Sequence, residues 1–548
     1  MKKILFLILL ISELSVFSQV APNYYAIKFT DKDNNSYSLD NPDEFLTQRS
    51  IDRRTRQGID YHISDLPITA EYVNQVAAIG VEVRNRVKWI NTIIIKTTSS
   101  SLLDQVEALP FVEGITKIAD VQTFPPLKEK SFSQLEKDLE TIQFNKNKNV
   151  KAPTELDYGY ARDQIDIING IPLHDAGFQG QGMVIAILDG GFIGVEQRII
   201  FDSLWDNGQI LGARDFASEE NNAYSGSSHG TKVLSTMGAN WPGEMIGTAP
   251  KASYWLLRTE YTDYENIIEE YNWLVGAAFA DSVGADIINS SLGYNEFDDA
   301  SMNHTWDDLD GNTVLVTIGA DMAAAKGILP VNSAGNEGGN SWIYITSPAD
   351  GDSVFTIGAV DFNGDLAYFS SRGLPDDPRV KPNICAVGYG TTVSDPYYDE
   401  ITSSSGTSFS SPTIAGMTAC LWQAHYDLNN QEIMESLEQT ASQANNPDTD
   451  YGYGIPDYAA AHYGLVGLAN IEPDKNQLLV YPNPSSRLLN LNNVEKDSQI
   501  EIYNLNGQLI MSTLYNGSLI DINSLKSGAY FVKVLSDENT RITGFIKQ

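Results

Sequence analysis

The chain has 548 residues, enough for three or so domains, and an apolar content of 42% that is ordinary for a globular protein. Its formal net charge of −35 excludes nucleic acid and anionic membrane surfaces as partners, because both demand clustered Lys and Arg. Two cysteines, Cys385 and Cys420, exclude a disulfide-dense scaffold; their apolar surroundings predict two buried thiols, with a single bridge as the alternative.

In chain order, residues 1–18 read as a signal peptide. Met1-Lys2-Lys3 precedes the apolar run Ile4–Ile11, and cleavage after Val16-Phe17-Ser18 leaves Gln19 as the new N-terminus. The run is too short to span a bilayer and no other segment approaches it, so no transmembrane segment is expected in the mature chain. Residues 19–126 alternate short strands, such as Tyr24–Phe29 and Trp89–Ile95, with helical patterns such as Ser101–Leu109. They predict a small α/β domain. Residues 127–155 are polar and lysine-rich, the pattern of an exposed linker open to proteolysis.

Between 156 and 466 the pattern changes to continuous apolar strands alternating with helices. The strands are Met183–Leu188, Asp286–Asn289, Gly327–Ser333 and Val354–Val360; the helices start at His229, cover Tyr264–Val283, and start again at Ser408. This predicts an α/β fold, a parallel sheet covered on both faces, with its crevice at the carboxyl ends of the strands. Residues 473–548 give only short strands separated by turns such as Asn504-Leu505-Asn506-Gly507, a small all-β sandwich.

Four segments of the α/β region carry chemistry. Gly406-Thr407-Ser408-Phe409-Ser410-Ser411-Pro412 presents Ser408 at a helix N-terminus, where backbone N–H groups and the dipole favour a developing anion. The apolar strand Met183–Leu188 delivers Asp189 to its carboxyl end, placed to hold an imidazole by one ring N–H. Of six histidines, only His229 opens a small-residue helix, which favours the neutral, proton-accepting ring. Asn336, in Ser333-Ala334-Gly335-Asn336-Glu337-Gly338, ends a strand in a glycine-flanked turn and offers an amide donor to an oxyanion. Each segment alone has a bland reading as a cap, a packing histidine or a turn; their joint order at the ends of one sheet points to a nucleophilic serine.

These blocks, with Gly247-Thr248-Ala249-Pro250, Asn289-Ser290-Ser291-Leu292-Gly293 and Phe369-Ser370-Ser371-Arg372-Gly373, resemble the subtilisin-like serine peptidases. The resemblance implies a serine endopeptidase acting on protein or peptide substrates through an acyl-enzyme. It implies Ser408 as nucleophile, His229 as general base and then acid, Asp189 as its orienting partner, and Asn336 with the Ser408 N–H as oxyanion hole. Ser291, Leu292 and Gly293 resemble the edge that pairs with substrate backbone. The sequence departs from the family pattern at Gly190, where Ser or Thr often follows the aspartate.

By position, residues 19–126 resemble the family's pro-domain, a folding assistant and inhibitor. The tail, with Val480-Tyr481-Pro482-Asn483-Pro484 and Ser527-Gly528-Ala529-Tyr530-Phe531-Val532, resembles a type IX secretion sorting domain. It implies the type IX secretion machinery as partner and export across the outer membrane of a Bacteroidetes-type cell, to the medium or the cell surface. No cofactor is implied for catalysis. Calcium is the candidate stabilising ion, with Asp307-Asp308-Leu309-Asp310-Gly311 as a candidate loop and a solvated acidic loop as the alternative. The specificity-pocket floor is expected near Thr346-Ser347-Pro348, where the absence of a charged selector leans towards apolar or aromatic side chains. The reading from another class is a catalytically silent surface-binding protein that kept the fold.

Overall fold

A computed structural model of the chain describes residues 23–119, 156–218, 221–261 and 264–469, and most of 478–547. The expected signal peptide at 1–18 and linker at 127–155 lie outside the described residues. The chain divides into two compact units, one through Gly464 and one from Leu465.

The first unit begins with β1 (Tyr24–Phe29), α1 (Gln48–Gln57), α2 (Ala70–Ala78), β2 (Glu82–Val87), β3 (Thr92–Lys96), α3 (Ser100–Glu107) and β4 (Val112–Ala119). The antiparallel sheet order is β2-β3-β1-β4, a split β-α-β-β-α-β arrangement in which α1 belongs to a stretch inserted between β1 and α2. The expected strand at Trp89 starts only at Thr92. Residues Lys88–Ile90 instead form a 3₁₀ turn, closed by Asn91 in the left-handed region at φ 53°. The Thr47 side chain caps α1 by accepting from the Ser50 N–H, and Gly58 ends it at φ 67°.

The large sheet follows. It comprises β5 (Val184–Asp189), β6 (Ile210–Asp215), β7 (Ser253–Arg258), β8 (Ile287–Ser290), β9 (Leu329–Ser333), β10 (Phe355–Val360) and β11 (Ile384–Val387). All seven strands are parallel, in the order β11-β10-β9-β8-β5-β7-β6. Strands β5 and β8–β11 are buried along their whole length, which explains their predominantly apolar sequences, with polar residues such as Asp189, Ser290 and Ser333 at the carboxyl ends of β5, β8 and β9. Four helices bear on the site: α4 (His229–Gly238), α5 (Ile268–Val283), α6 (Leu315–Ala325) and α7 (Thr407–Ala424).

Val184, Ala186 and Leu188 of β5 share one apolar cluster with Trp273, Leu274 and Ala277 of α5 and with Val316 and Ala320 of α6. Tyr24, Ala26 and Ile94 of the N-terminal sheet complete that cluster. Helix α7 is buried from Thr407 to Trp422. Both cysteines are free, buried thiols, Cys385 near the Tyr451 carbonyl and Cys420 near that of Thr248, so no bridge joins them. Burial pushes both thiols far above their ordinary range.

Beyond the end of the helix Tyr458–Ala469, the described elements of the second unit are all strands, as expected. A three-stranded sheet of Leu479–Tyr481, Leu488–Asn492 and Ile520–Asp521 accompanies a four-stranded one of Gln499–Asn504, Leu509–Leu514, Gly528–Leu535 and Thr540–Lys547. Leu489, Ile500, Ile502, Val532, Val534 and Phe545 form its core.

Candidate active site

Three strands deliver site residues to the same edge of the large sheet. Asp189 is the last residue of β5 and is fully buried. Its carboxylate accepts the Gly190 N–H at 2.7 Å and meets His229 Nδ1 at 2.9 and 3.0 Å. The departure at Gly190 thus removes a side-chain hydroxyl near Asp189 but leaves a backbone donor to its carboxylate. Gly191, at φ 146°, lets residues 225–227 approach closely; a Cβ there would lie 2.1 Å from the Ser225 carbonyl oxygen. That approach places His229 at the start of α4, its N–H donating to Ser227 Oγ.

Ser408 stands in the first turn of α7, whose N–H groups lack intrahelical acceptors. Its Oγ is buried and has no hydrogen-bond partner among the described residues. The His229 ring lies 5.7 Å from the ring of Phe409, the neighbour of Ser408. Gly406, at φ 151°, turns the chain into the helix.

Pro412 lies inside α7 and has no N–H for the carbonyl four residues back, that of Ser408. Ser291 Oγ donates to that carbonyl instead, at 2.9 Å. Asn289 Nδ2 donates to Ser291 Oγ and Asn289 Oδ1 accepts from Ser411 Oγ, so the end of β8 is bonded to helix α7. Asn336 Oδ1 accepts from the Thr407 N–H at 2.9 Å and Thr407 Oγ1 at 3.1 Å, leaving its Nδ2 as the outward donor. Asn332 Nδ2 donates to the Leu292 carbonyl. Thr346 Oγ1 is buried without a partner among the described residues, and a Cβ on Gly293 or Gly335 would lie 2.0 or 3.0 Å from it. The threonine therefore fills the space between the segments that follow β8 and β9.

The structure thus brings Asp189, His229, Ser408, Asn336, Ser291, Leu292 and Gly293 to one edge. It adds Thr407, Asn289 and Pro412, whose contacts depend on segments more than seventy residues away and leave no local signal. The candidate calcium loop does not fit an ion. Asp308 Oδ2 accepts from the Thr305 N–H and hydroxyl, and Asp310 accepts from Asn312 and Thr313, so both carboxylates stabilise their own turns. One carboxylate oxygen each of Glu260, Glu265 and Glu269 lies within 4.8 Å of the others. Glu260 accepts from the hydroxyls of Tyr294 and Thr259, and Glu269 from the N–H groups of Tyr261 and Asn266.

The model of the Subtilase family matches residues 180–454, just over half of the chain. The chain belongs to the subtilase family. Subtilisin E of Bacillus subtilis (strain 168) is 29% identical over 339 residues, covering 61% of this chain and 79% of that protein. Subtilisin DY of Bacillus licheniformis is 30% identical over 305 residues, covering 53% and 97%. This subtilase is a serine-type endopeptidase. Residues 24–135 match the Peptidase S8 propeptide domain, Bacteroidota, and residues 479–548 the Secretion system C-terminal sorting domain. The subtilase is therefore a zymogen exported by type IX secretion from a Bacteroidetes-type bacterium. Among the described residues no helix is long and apolar enough to cross a membrane.

Proposed function

We propose that this subtilase hydrolyses peptide bonds through an acyl-enzyme built on Asp189, His229 and Ser408. The observation that carries the reading is a buried carboxylate bonded to Nδ1 of an imidazole whose ring lies 5.7 Å from that of Phe409, the neighbour of the buried Ser408.

Ser408 Oγ attacks the scissile carbonyl carbon while His229 Nε2 takes its proton, and Asp189 stabilises the imidazolium that results. The tetrahedral oxyanion takes hydrogen bonds from Asn336 Nδ2 and the Ser408 N–H. Collapse breaks the C–N bond, and His229 returns the proton to the departing amine. Water, deprotonated by His229, then attacks the acyl ester; its collapse returns a proton to Ser408 and releases the new carboxyl terminus. Ser291, Leu292 and Gly293 supply the backbone edge that holds substrate as an added strand.

In this reading residues 1–18 are the signal peptide, 19–126 the inhibiting and fold-assisting pro-domain, 127–155 the linker, 156–466 the peptidase and 473–548 the sorting domain. Maturation cuts the chain near 127–157, and the tail engages the type IX secretion machinery. No cofactor takes part in the chemistry.

The test is intact-mass labelling of the matured protein with a fluorophosphonate, beside Ser408→Ala. One adduct on the parent, absent from the variant, is the expected result. A folded, pro-domain-free parent that takes no label would leave the silent binding protein as the reading.

A further inference from the structure

The first turn of α7 lacks one main-chain bond, at Ser408 itself. Pro412 has no N–H to donate, and the carbonyl of Ser408 accepts the Ser291 hydroxyl instead, at 2.9 Å. That hydroxyl is itself held. Asn289 Nδ2 donates to Ser291 Oγ at 3.2 Å, and Asn289 Oδ1 accepts from Ser411 Oγ at 3.1 Å. Asn289, Ser291 and Ser411 are all fully buried, so bulk solvent cannot replace a donor along this path. The path leaves α7 at Ser411, one turn after Ser408, and returns to the Ser408 carbonyl through the end of β8.

The strand end that carries the path is fixed independently of α7. Side chains alternate along a strand, so Asn289 and Ser291 face α7 while Ser290 faces the other way. Ser290 Oγ accepts from Trp273 Nε1 of α5 at 2.9 Å. Trp273 and Ile288 belong to the apolar cluster that joins β5, α5 and α6. The residue before Ser408 is tied from the neighbouring strand. Asn336 Oδ1 accepts from the Thr407 N–H and hydroxyl, and Thr407 Oγ1 accepts from the Gly335 N–H at 3.2 Å. Ser408 is thus held on its amino side from the segment after β9 and on its carbonyl side from the segment after β8.

Ser291 has two parts in the proposed reaction. Its main chain belongs to the edge along which substrate is added as a strand, and its side chain holds the carbonyl of the attacking residue. A strand laid along Ser291–Gly293 restrains the main chain of Ser291 and with it the direction of the hydroxyl. We infer that Ser291, oriented by Asn289, is a positioning residue that carries occupation of the substrate edge to Ser408. The inference deepens the peptidase reading proposed above and rests on it. Binding of substrate residues remote from the scissile bond is then converted into alignment of the Ser408 Oγ and N–H. It therefore appears in kcat as well as in KM.

The test is steady-state hydrolysis of peptide amides lengthened one residue at a time on the acyl side, by the matured parent, Ser291→Ala and Ser291→Cys. Both substitutions keep the main-chain edge; alanine removes the donor and cysteine leaves a weak one. For the parent, kcat is expected to rise at least ~10-fold from the shortest to the longest peptide. For Ser291→Ala the rise is expected to shrink below ~2-fold while KM still falls with length as in the parent, and Ser291→Cys is expected to lie between. A rise in kcat that survives Ser291→Ala overturns the inference, as does a kcat lowered by one common factor at every length. A parent whose kcat ignores peptide length overturns it too. Circular dichroism verifies that each variant is folded. If Ser291→Ala is not, Ser291→Cys decides alone, and a parent-like rise there overturns the inference. Fluorophosphonate labelling separates the two readings: an unlabelled parent fails the peptidase reading, whereas a labelled parent with any of the overturning results fails this inference only.

Discussion

At the scale of single residues, the site is shaped by what each position lacks. Pro412 withholds an N–H, and the carbonyl of Ser408 bonds to Ser291 across the cleft. Gly293 and Gly335 withhold side chains, and Thr346 occupies the space between them. Thr346 opens the segment expected to lie near the specificity-pocket floor, and its hydroxyl takes up the space beside both glycines. Thr346→Gly is therefore expected to raise kcat/KM for peptides with a large aromatic P1 residue, relative to a small one, by ~10-fold or more. A peptide series varied only at P1 measures this, and an unchanged ratio would remove Thr346 from the pocket floor. The proposed reacting groups could be singled out in the sequence, because Asp189, His229, Ser408 and Asn336 each sit beside glycines or small residues at or near an element's end. Their supports were not. The hydrogen bonds from Thr407 to Asn336 and from Ser291 to Ser408 exist only once segments distant in sequence are packed together.

At the scale of elements, α7 and α4 carry the proposed nucleophile and base, so their separation is set by whatever lies between them. Gly416 is such a contact: a Cβ there would lie 2.1 Å from Thr248 Oγ1 and 3.1 Å from Met237 Cγ of α4. Both neighbours are buried, and interiors of this density yield little. Gly416→Ala is expected to cost ~1–3 kcal/mol, read as a lower urea midpoint on a Ser408→Ala background, where autolysis cannot contribute. An unaltered midpoint would mean that the two helices move apart freely. Strands β5, β8, β9 and β10 were legible because they are buried along their whole length, whereas β6 and β7, which are only partly buried, and the four-residue β11 were not anticipated. Helix α1 was not. Its four arginines read locally as a solvated surface, and only the arrival of Asp281 and Asp286, more than two hundred residues away, converts that charge into an interior contact. Trp89 misled for a related reason: its β-forming neighbourhood is interrupted by Asn91, whose left-handed turn the strand pattern does not reveal.

At the scale of the whole molecule, a chain with 71 acidic and 36 basic residues places four of its arginines in one ten-residue helix and faces them with acids. The pH dependence of that contact follows from its hub. Burial pushes the Asp281 carboxyl up, but Arg54, Arg53, Lys88 and Lys326 outweigh it and hold the group below its ordinary range. Asp65 is displaced the same way: burial opposes, and Arg54 and Lys326 prevail. An acid whose pKa is lowered in the bound state contributes fully above its ordinary value of about 4, and the contribution fades only as the pH falls through the lowered one. Acidification to pH 5 leaves both carboxylates charged in the bound and the separated states alike, so it gains nothing for dissociation. The two fragments of a Ser408→Ala chain cut once within residues 128–153 are accordingly expected to co-elute equally at pH 8 and pH 5 and to come apart only below about pH 4. Fragment release between pH 5 and 6 would assign control to a histidine outside the α1 contact.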